Sequence, residues 1–201
     1  MATRFGREGA RGAAMLLLTL RGTPLLYYGE EIGMTNAAIP PEYEQDPFGK
    51  RLRLSRDPQR TPMQWDAGPH AGFSAPTTPR LWLPVGGDYR QVNVEAQTAD
   101  PRSLLGLYRR LIAFRRESTA LVSGTYVRVD PVPPDCYAYL REAGAERVLV
   151  AINFGDQEHT FGVPFSGQGE LVVSTALDRQ GPVPLDAVRL RPHEGWVVEL
   201  P

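Results

Sequence analysis

The sequence predicts two consecutive parts of different fold class, an α/β part over residues 1–117 and an antiparallel β-sandwich over residues 118–201. Three observations favour this division. The chain opens with helical periodicity followed by one continuous apolar run, which is typical of a helix and a buried parallel strand. A long loop rich in proline and aromatic residues comes next, and loops that follow strands form the ligand sites of β/α barrels. Beyond this part, apolar and polar residues alternate, which indicates strands with one buried face.

The first predicted helix covers Arg7 to Arg21, where apolar residues recur at helical spacing. Gly22 ends it, because glycine adopts the left-handed conformation of a helix C-terminus without strain. Pro24 to Tyr28 then forms a continuous apolar run, which predicts a short strand buried on both faces. Helix, short loop and buried strand together make the αβ half of a β/α unit.

Residues 36–100 contain many prolines and no long periodic segment, so the sequence predicts a long irregular loop. Asp100 and Pro101 form a strong helix start, and apolar residues at helical spacing extend this helix to about Arg116. Five aromatic residues favour an ordered functional loop over a disordered one: Phe48, Trp65, Phe73, Trp82 and Tyr89.

Seven short segments with period-two alternation follow, separated by turn residues, and this rhythm predicts the β-sandwich. Gly181 and Pro182 are interpreted as one of the turns. The predicted strands are Thr125 to Val129, Cys136 to Arg141, Arg147 to Asn153, Glu158 to Val163, Glu170 to Ser174, Ala187 to Leu190 and Gly195 to Leu200.

Composition and charge describe an ordinary globular chain and argue against several functions. A net charge of −1 disfavours capture of nucleic acid or of an anionic membrane. The longest apolar run, Ala13 to Leu18, is far too short to span a bilayer. Cys136 is the single cysteine, which fits a reducing cytoplasm. We expect neither a metal nor a cofactor, since the three histidines lack the close spacing of a metal site: His70, His159 and His193.

Five motifs resemble, in order and spacing, the α-glucosidase and oligo-1,6-glucosidase branch of glycoside hydrolase family 13: GTPLLYYGEEIGM, SRDPQRTPMQWD, HAGFS, WLPV and VNVEAQ. The same run is similar to trehalose synthase. The resemblance implies the last strand and helices of a (β/α)8 barrel, followed by a C-terminal β-sandwich. It also implies that the catalytic aspartate and glutamate of such an enzyme would lie before Met1.

Arg60 and Trp65 are the candidate substrate-binding residues. A guanidinium offers a rigid fork of donors suited to vicinal hydroxyls, and the resemblance places a substrate contact of the glucosidases at Arg60. The alternative is a structural ion pair of Arg60 with Asp57 or Asp66. Trp65 can stack on a sugar face, and the alternative is core packing beside Met63.

Glu30 and Glu31 are a tempting pair, because glycoside hydrolysis uses two carboxylates. Consecutive side chains diverge, however, so we interpret them as bracing the strand end and predict no catalytic residue in this chain. Other polar residues have supporting roles in this interpretation. They are Arg56 and Asp57 as loop scaffolding, Asn93 and Gln97 as loop anchors, Glu95 at the site mouth, and His70 near substrate.

The predicted whole protein hydrolyses α-1,4- or α-1,6-linked gluco-oligosaccharides with retention, and this chain, inactive alone, supplies one wall of the pocket. Two alternatives stay open: a trehalose synthase, which transfers a glucosyl unit within the site, and a non-catalytic carbohydrate-binding or accessory protein. Linkage, chain-length preference and oligomeric state are left open. Because strand 24–28 would lack both neighbours of a closed barrel, we expect residues 1–117 to be poorly ordered or aggregation-prone alone.

Overall fold

The computed structural model describes residues 1–52 and 54–201. The chain forms two compact units. The first consists of Met1–Gly6 and Leu26–Leu105, and the second of Arg7–Leu25 and Gly106–Pro201. The predicted boundary at residue 117 stays a prediction.

Five α-helices occur in the described chain: α1 (Ala2–Thr19), α2 (Pro47–Leu52), α3 (Val94–Ala99), α4 (Leu104–Glu117) and α5 (Thr119–Ser123). Helix α1 is broken at Gly6, whose φ of 70° and ψ of 178° are not helical. Four single turns of 3-10 helix add to these: Glu30–Ile32, Pro41–Tyr43, Asp57–Gln59 and Pro69–Gly72.

The first unit is organised around a small apolar core rather than around a sheet. Buried side chains from distant parts of the loop meet there, with Met34 and Val94 packed against them. Burial of this kind stabilises an otherwise irregular segment. The buried members are Ile32, Met63, Val92 and Leu105.

The second unit contains eight strands in two antiparallel sheets. The strands are β1 (Thr125–Arg128), β2 (Cys136–Ala143), β3 (Glu146–Asn153), β4 (His159–Phe161), β5 (Gln168–Ser174), β6 (Gly181–Pro184), β7 (Val188–Leu190) and β8 (Gly195–Glu199). The larger sheet has the order β1-β2-β3-β8-β5-β6, and β4 pairs with β7. In the centre, Leu149 of β3 lies opposite Val198 of β8.

Both sheets contribute to one hydrophobic core. Val188 and Leu190 of the smaller sheet belong to the same buried cluster as Leu149, Trp196 and Val198 of the larger one. Alternate positions along a strand, such as Leu149 and Ala151 of β3, enter this core, and in β3 the side chains between them are buried as well. The seven segments predicted as strands are therefore confirmed as strands, with ends shifted by a few residues.

Two arginines bind the carbonyl groups at the end of α1. Arg115 donates to the carbonyls of Leu18 (2.8 Å), Leu20 (3.1 Å) and Gly22 (2.6 Å). The fully buried Arg141 donates to the carbonyl of Thr19 at 2.7 Å. The last carbonyls of a helix lack intrahelical partners and carry partial negative charge, so cations stabilise them.

The strand predicted over Pro24 to Tyr28 is wrong. No strand is assigned there, and Leu25 is 83% exposed. An apolar run becomes a parallel strand only where neighbouring strands accept its hydrogen bonds and cover its faces. None of the described strands pairs with this segment.

Three other assignments differ from the structure. Val94–Ala99, in the loop predicted to be irregular, form helix α3, because the Asn93 side chain accepts from the Ala96 amide at 2.8 Å and caps the helix. The predicted turn at Gly181 and Pro182 lies in edge strand β6, where proline is tolerated. Helix α5, capped by Ser118, was not predicted.

Candidate functional site

A buried segment of the first unit positions both candidate residues. Thr61 to Gln64 are buried, whereas Arg60 before them and Trp65 after them are exposed. The Tyr28 hydroxyl donates to the Thr61 carbonyl at 2.9 Å, which fixes one end of the segment. Burial raises the pKa of this tyrosine, and neighbouring Tyr27 raises it further, so it stays a neutral donor.

Main-chain hydrogen bonds on both sides hold Trp65. Its amide donates to the Ala71 carbonyl at 2.8 Å, and its carbonyl accepts from the Glu95 amide at 2.9 Å. His70 and Ala71 adopt left-handed conformations (φ 55° and 54°), which are uncommon outside glycine. Backbone in such a conformation persists only where surrounding contacts impose it, and it often marks a functional segment. The strained turn here orients the carbonyl that holds Trp65.

Arg60 and Trp65 line the same open cleft, whose volume is about 480 Å³. This volume lies within the range of ligand sites in proteins, roughly 300–1,000 Å³. The lining is mostly aromatic and apolar, with two charged side chains. The lining residues are Tyr28, Glu31, Arg60, Pro62, Met63, Trp65, Phe73, Trp82 and Leu83.

Three aromatic rings of the cleft are free to receive a ligand. Trp65, Phe73 and Trp82 are 49%, 52% and 74% exposed. Within the described part of the chain, none of these rings stacks on another ring or lies under a cation. Exposed aromatic surface grouped around one concavity is typical of a binding site, because soluble proteins rarely leave contiguous apolar surface in water unless it contacts a ligand or partner.

The Arg60 side chain forms no ion pair or hydrogen bond with any residue that the structure describes, although the Arg60 amide donates to the Asp57 carbonyl at 2.9 Å. The Asp57 carboxylate accepts instead from the amides of Gln45 (2.7 Å) and Asp46 (2.8 Å). Asp66 accepts from the Gly68 amide at 2.8 Å. The alternative of a structural ion pair is therefore absent here, and the guanidinium donors of Arg60 face solvent in the cleft.

The loop before Arg60 is held by a charged clasp. Arg56 donates to both carboxylate oxygens of Asp46, at 2.8 and 3.0 Å, and its amide donates at 2.9 Å. These hydrogen bonds from Arg56 hold the pKa of the Asp46 carboxyl well below its usual range. Asp57 holds the same loop by accepting a hydrogen bond from the Gln45 amide. Arg56 and Asp57 thus scaffold the loop, as predicted.

Glu30 braces the chain, and Glu31 lines the cleft. The Glu30 carboxylate accepts from the Tyr27 amide at 3.3 Å and lies 3.7 Å from the terminal amine of Met1. Among the described lining residues, Glu31 is the single carboxylate. Hydrolysis with retention needs two carboxyl groups about 5–5.5 Å apart across the scissile bond. The cleft therefore holds at most one of the two groups.

The polar residues of VNVEAQ anchor the loop. The Asn93 side chain donates to the Tyr89 carbonyl at 2.8 Å. Gln97 donates to the Ile32 carbonyl at 2.6 Å and accepts from the Leu105 amide at 3.0 Å. Glu95 contributes its amide to Trp65 but does not line the cleft, so its place at the site mouth stays a prediction.

Metal binding has no structural counterpart in the residues described. No group of three or more histidine, cysteine, aspartate or glutamate side chains lies close enough there to hold an ion. His193 pairs with Asp156 at 2.8 Å, and His70 lies in the strained turn without lining the cleft. In the described chain, every helix is too short or too polar to cross a bilayer.

The sequence interpretation missed Tyr28, Glu31, Phe73 and Trp82 as lining residues. Phe73 and Trp82 were recognised only as aromatics that favour an ordered loop. The available signal was their occurrence in the same loop as Arg60 and Trp65. Their exposure, which distinguishes a binding surface from a core, depends on folding.

Residues 1–124 match the family described as the catalytic domain of alpha-amylase. The chain is 35% identical, over 98% of its length, to 40% of an oligo-1,6-glucosidase from Parageobacillus thermoglucosidasius. It is 38% identical, over 99% of its length, to 36% of a salivary alpha-glucosidase from Anopheles gambiae. The chain thus spans about 40% of the length of the curated relatives it matches.

Solved structures give the same result. The chain superimposes on the isomaltulose synthase SmuA from Protaminobacter rubrum with a TM-score of 0.84 and 31% identity, covering 100% of this chain and 40% of that one. For the trehalulose synthase MutB from Pseudomonas mesoacidophila, the TM-score is 0.83 at 30% identity, with coverage of 98% and 40%.

Proposed function

Because the chain belongs to the family of alpha-amylase catalytic domains, we propose that it is the C-terminal part of an α-glucosidase-like glycoside hydrolase. The substrate is an α-1,4- or α-1,6-linked gluco-oligosaccharide, and the cleft of the first unit forms one wall of its binding site. In this proposal, the first part belongs to a (β/α)8 barrel and the second is its C-terminal β-sandwich. A cytoplasmic location fits the lone buried Cys136.

The observation that carries the proposal is the pairing of an unpartnered guanidinium with a free indole ring in one cleft. Arg60 offers five donors in a rigid plane, which suits adjacent sugar hydroxyls. Trp65 offers a flat apolar face that covers the C–H face of a pyranose. The two lie at opposite ends of one buried segment, so the fold sets their spacing.

The charge of the cleft favours a neutral sugar over a phosphorylated one. The lining contains one cation, Arg60, and one carboxylate, Glu31, so the described lining carries no net charge. Phosphate recognition in proteins usually relies on clustered arginine or lysine donors. A trehalose-6-phosphate hydrolase from Bacillus subtilis is 33% identical to the chain, but the cleft has one cation where a phosphosugar favours several.

The chain contributes binding rather than bond cleavage. With Glu31 as the single lining carboxylate in the described residues, the cleft lacks the opposed pair that forms and hydrolyses a glucosyl-enzyme. We therefore expect the isolated chain to release no glucose from maltose, isomaltose or an aryl α-glucoside. The catalytic carboxylates would come from the part of the relatives' length that this chain does not span.

A second candidate function is isomerisation of a disaccharide, in which the glucosyl unit moves from one hydroxyl position of the second sugar to another. The similarity to isomaltulose and trehalulose synthases favours it. The resemblance of the sequence motifs to trehalose synthase favours it as well. Transfer requires that water be kept from the glucosyl intermediate, and an aromatic wall contributes to that. Product analysis of a complete enzyme carrying this chain separates the two: free glucose supports hydrolysis, whereas an isomeric disaccharide supports transfer.

Binding measured on the chain itself tests the proposal. We expect saturation-transfer NMR to detect maltose and isomaltose on the chain, and Arg60→Gln to weaken the affinity about 10- to 100-fold, since hydrogen bonds to charged groups contribute about 1.5–3 kcal/mol. Arg109→Gln is the matched control, because Arg109 is an exposed arginine on α4 that does not line the cleft.

Trp65→Ala and Trp65→Phe form a second pair. The phenylalanine should retain most of the affinity and the alanine little of it, since a stacking face is kept in only one of them. Equal weakening by Arg60→Gln and Arg109→Gln, or no saccharide binding by the chain, would contradict the proposal.

A further inference from the structure

The larger sheet of the second unit has two edges, and they differ in whether another strand can join them. Its outermost strands are β1 and β6. Strand β6 contains Pro182 and Pro184, which have no amide hydrogen and cannot donate to a neighbouring strand. Strand β1 (Thr125–Arg128) contains no proline. Because the unpaired groups of an exposed edge bind other strands, proteins usually block such an edge. An edge left open therefore indicates an interaction surface.

The main-chain groups of two residues face this open edge. The Val129 amide, just beyond β1, donates to the Ala138 carbonyl of β2 at 2.9 Å. Since bonding alternates along an antiparallel ladder, Val127 also bonds toward β2, whereas the amides and carbonyls of Tyr126 and Arg128 point away from it. Among the strands that the structure describes, β1 pairs with β2 alone, so these outward groups have no strand partner.

The side chains of β1 are also open to solvent. Val127 is 45% exposed, and the side chain of Arg128 is 59% exposed. Valine favours the strand conformation and packs well against another β-branched side chain across a strand pair. The edge thus offers hydrogen-bonding groups together with an apolar contact at its centre.

We propose that β1 pairs with β1 of a second copy of this chain, antiparallel and around a two-fold axis at Val127. The six-stranded sheets of the two copies then form one continuous sheet. In this register, Tyr126 lies opposite the partner's Arg128 on both sides of the axis. Each of these pairs exchanges two main-chain hydrogen bonds, so every outward group is used. The dimer surface lies in the second unit and is independent of the saccharide site.

Other registers that match outward groups are less favourable. A pairing centred on Tyr126 would place Arg128 opposite Gly124. The Gly124 amide already donates to the Ala120 carbonyl at 3.0 Å and is not free to bond. A pairing centred on Arg128 would set two guanidinium groups directly opposite each other, and like charges in that position are destabilising. The register centred on Val127 avoids both, and it sets a guanidinium beside an aromatic ring.

Disulfide trapping tests this register on the 201-residue chain in a Cys136→Ala background. Opposed residues at a non-hydrogen-bonded position have Cα atoms about 4.5 Å apart, a separation that a disulfide spans. Val127→Cys should therefore form a linked dimer under mild oxidation. Thr125→Cys is the matched control, because Thr125 is exposed on the same face of β1 but would lie roughly 13 Å along the strand from its counterpart. We expect a several-fold higher yield at position 127.

Sedimentation equilibrium gives a second measurement. The unchanged chain should dimerise reversibly and weakly, because two four-residue strands bury little area. Arg128→Pro removes an outward amide hydrogen from each copy and should weaken the dimer about 10-fold. Arg128→Ala keeps the amide and should retain most of the affinity. Near-ultraviolet circular dichroism checks that both variants are folded.

Three results would overturn the inference. They are equal disulfide yields at positions 125 and 127, equal dimerisation of Arg128→Pro and the unchanged chain, and a chain that stays monomeric at every concentration. Association that persists in Arg128→Pro would assign the contact to another surface. None of these results bears on saccharide binding by the first unit, so the proposed function is tested separately.

Discussion

Replacing Arg141 with methionine tests whether the buried guanidinium holds the second unit together. Arg141 is fully buried and donates to three carbonyls, those of Thr19 (2.7 Å), Gly124 (3.1 Å) and Thr125 (3.1 Å). Methionine is similarly long but donates no hydrogen bond, so it removes the donors and fills much of the space. The three acceptors then lose their partner inside the protein.

The expected loss in the free energy of unfolding is about 3 kcal/mol. Each hydrogen bond to a charged group contributes roughly 1.5–3 kcal/mol, and burying an uncompensated cation costs several kcal/mol, which offsets part of that sum. Among the described residues, no carboxylate pairs with Arg141. For a domain of about 100 residues, a change of this size lowers the Tm by roughly 12–24 °C.

Urea unfolding followed by the fluorescence of Trp196, which is buried in the second unit, measures the effect. Trp65 and Trp82 are replaced by phenylalanine in every variant, so that the signal reports on this unit alone. Arg128→Met is the control, because Arg128 is exposed on strand β1, where it pairs with Asp130 at 2.7 Å and lies 5.9 Å from the centre of the Tyr137 ring. Such surface pairs contribute about 0–1 kcal/mol. If the free energies of unfolding of the two variants differ by less than about 0.5 kcal/mol, the reasoning about Arg141 is refuted.

Three further predictions follow from the chain as described. Asp178 accepts from Arg191 at 2.7 and 2.9 Å, and these bonds lower its pKa to about 2; because the folded pKa lies below the unfolded one, its stabilisation is present above about pH 4 and disappears as the pH falls toward 2. The free energy of unfolding should therefore fall less steeply between about pH 4 and pH 2 in Asp178→Asn than in the unchanged chain. Equal slopes in the two proteins would contradict this prediction. The chain alone should release no glucose from an aryl α-glucoside, and turnover at an ordinary enzymatic rate would refute the assignment of the cleft as a binding wall. In hydrogen exchange, the amides of Leu25, Leu26 and Tyr28 should exchange rapidly while the Trp65 amide, which donates to the Ala71 carbonyl, is protected; protection of those three amides in the monomer would contradict this.

Local pattern was sufficient to predict the strands of the second unit. Strands β2, β3 and β8 are rich in apolar residues because alternate positions of each strand enter a shared core and most of the positions between them are buried as well. This composition is visible residue by residue. Strand β6 was missed because it contains Pro182 and lies at a sheet edge, where the usual pattern is not required.

The first unit was predicted less well, since its structure depends on distant contacts. The run Pro24 to Tyr28 has the composition of a buried strand, but a strand needs neighbours to pair with, and composition does not supply them. Helix α3 forms because Asn93 caps it and Gln97 bridges Ile32 to Leu105. The contacts that Gln97 makes with Ile32 and Leu105 cannot be predicted from the spacing of residues in the sequence.

The family resemblance, the β-rich second part and the choice of Arg60 and Trp65, which line one cleft, followed from the amino-acid sequence alone. That the Arg60 side chain is unpaired depends on folding, because the main-chain amides of Gln45 and Asp46 occupy the Asp57 carboxylate. The exposure of Phe73 and Trp82 beside Trp65 depends on folding as well. The physical reason is that residue type sets what a side chain can bind, whereas competition among all the groups of the folded chain sets whether it is left free to do so.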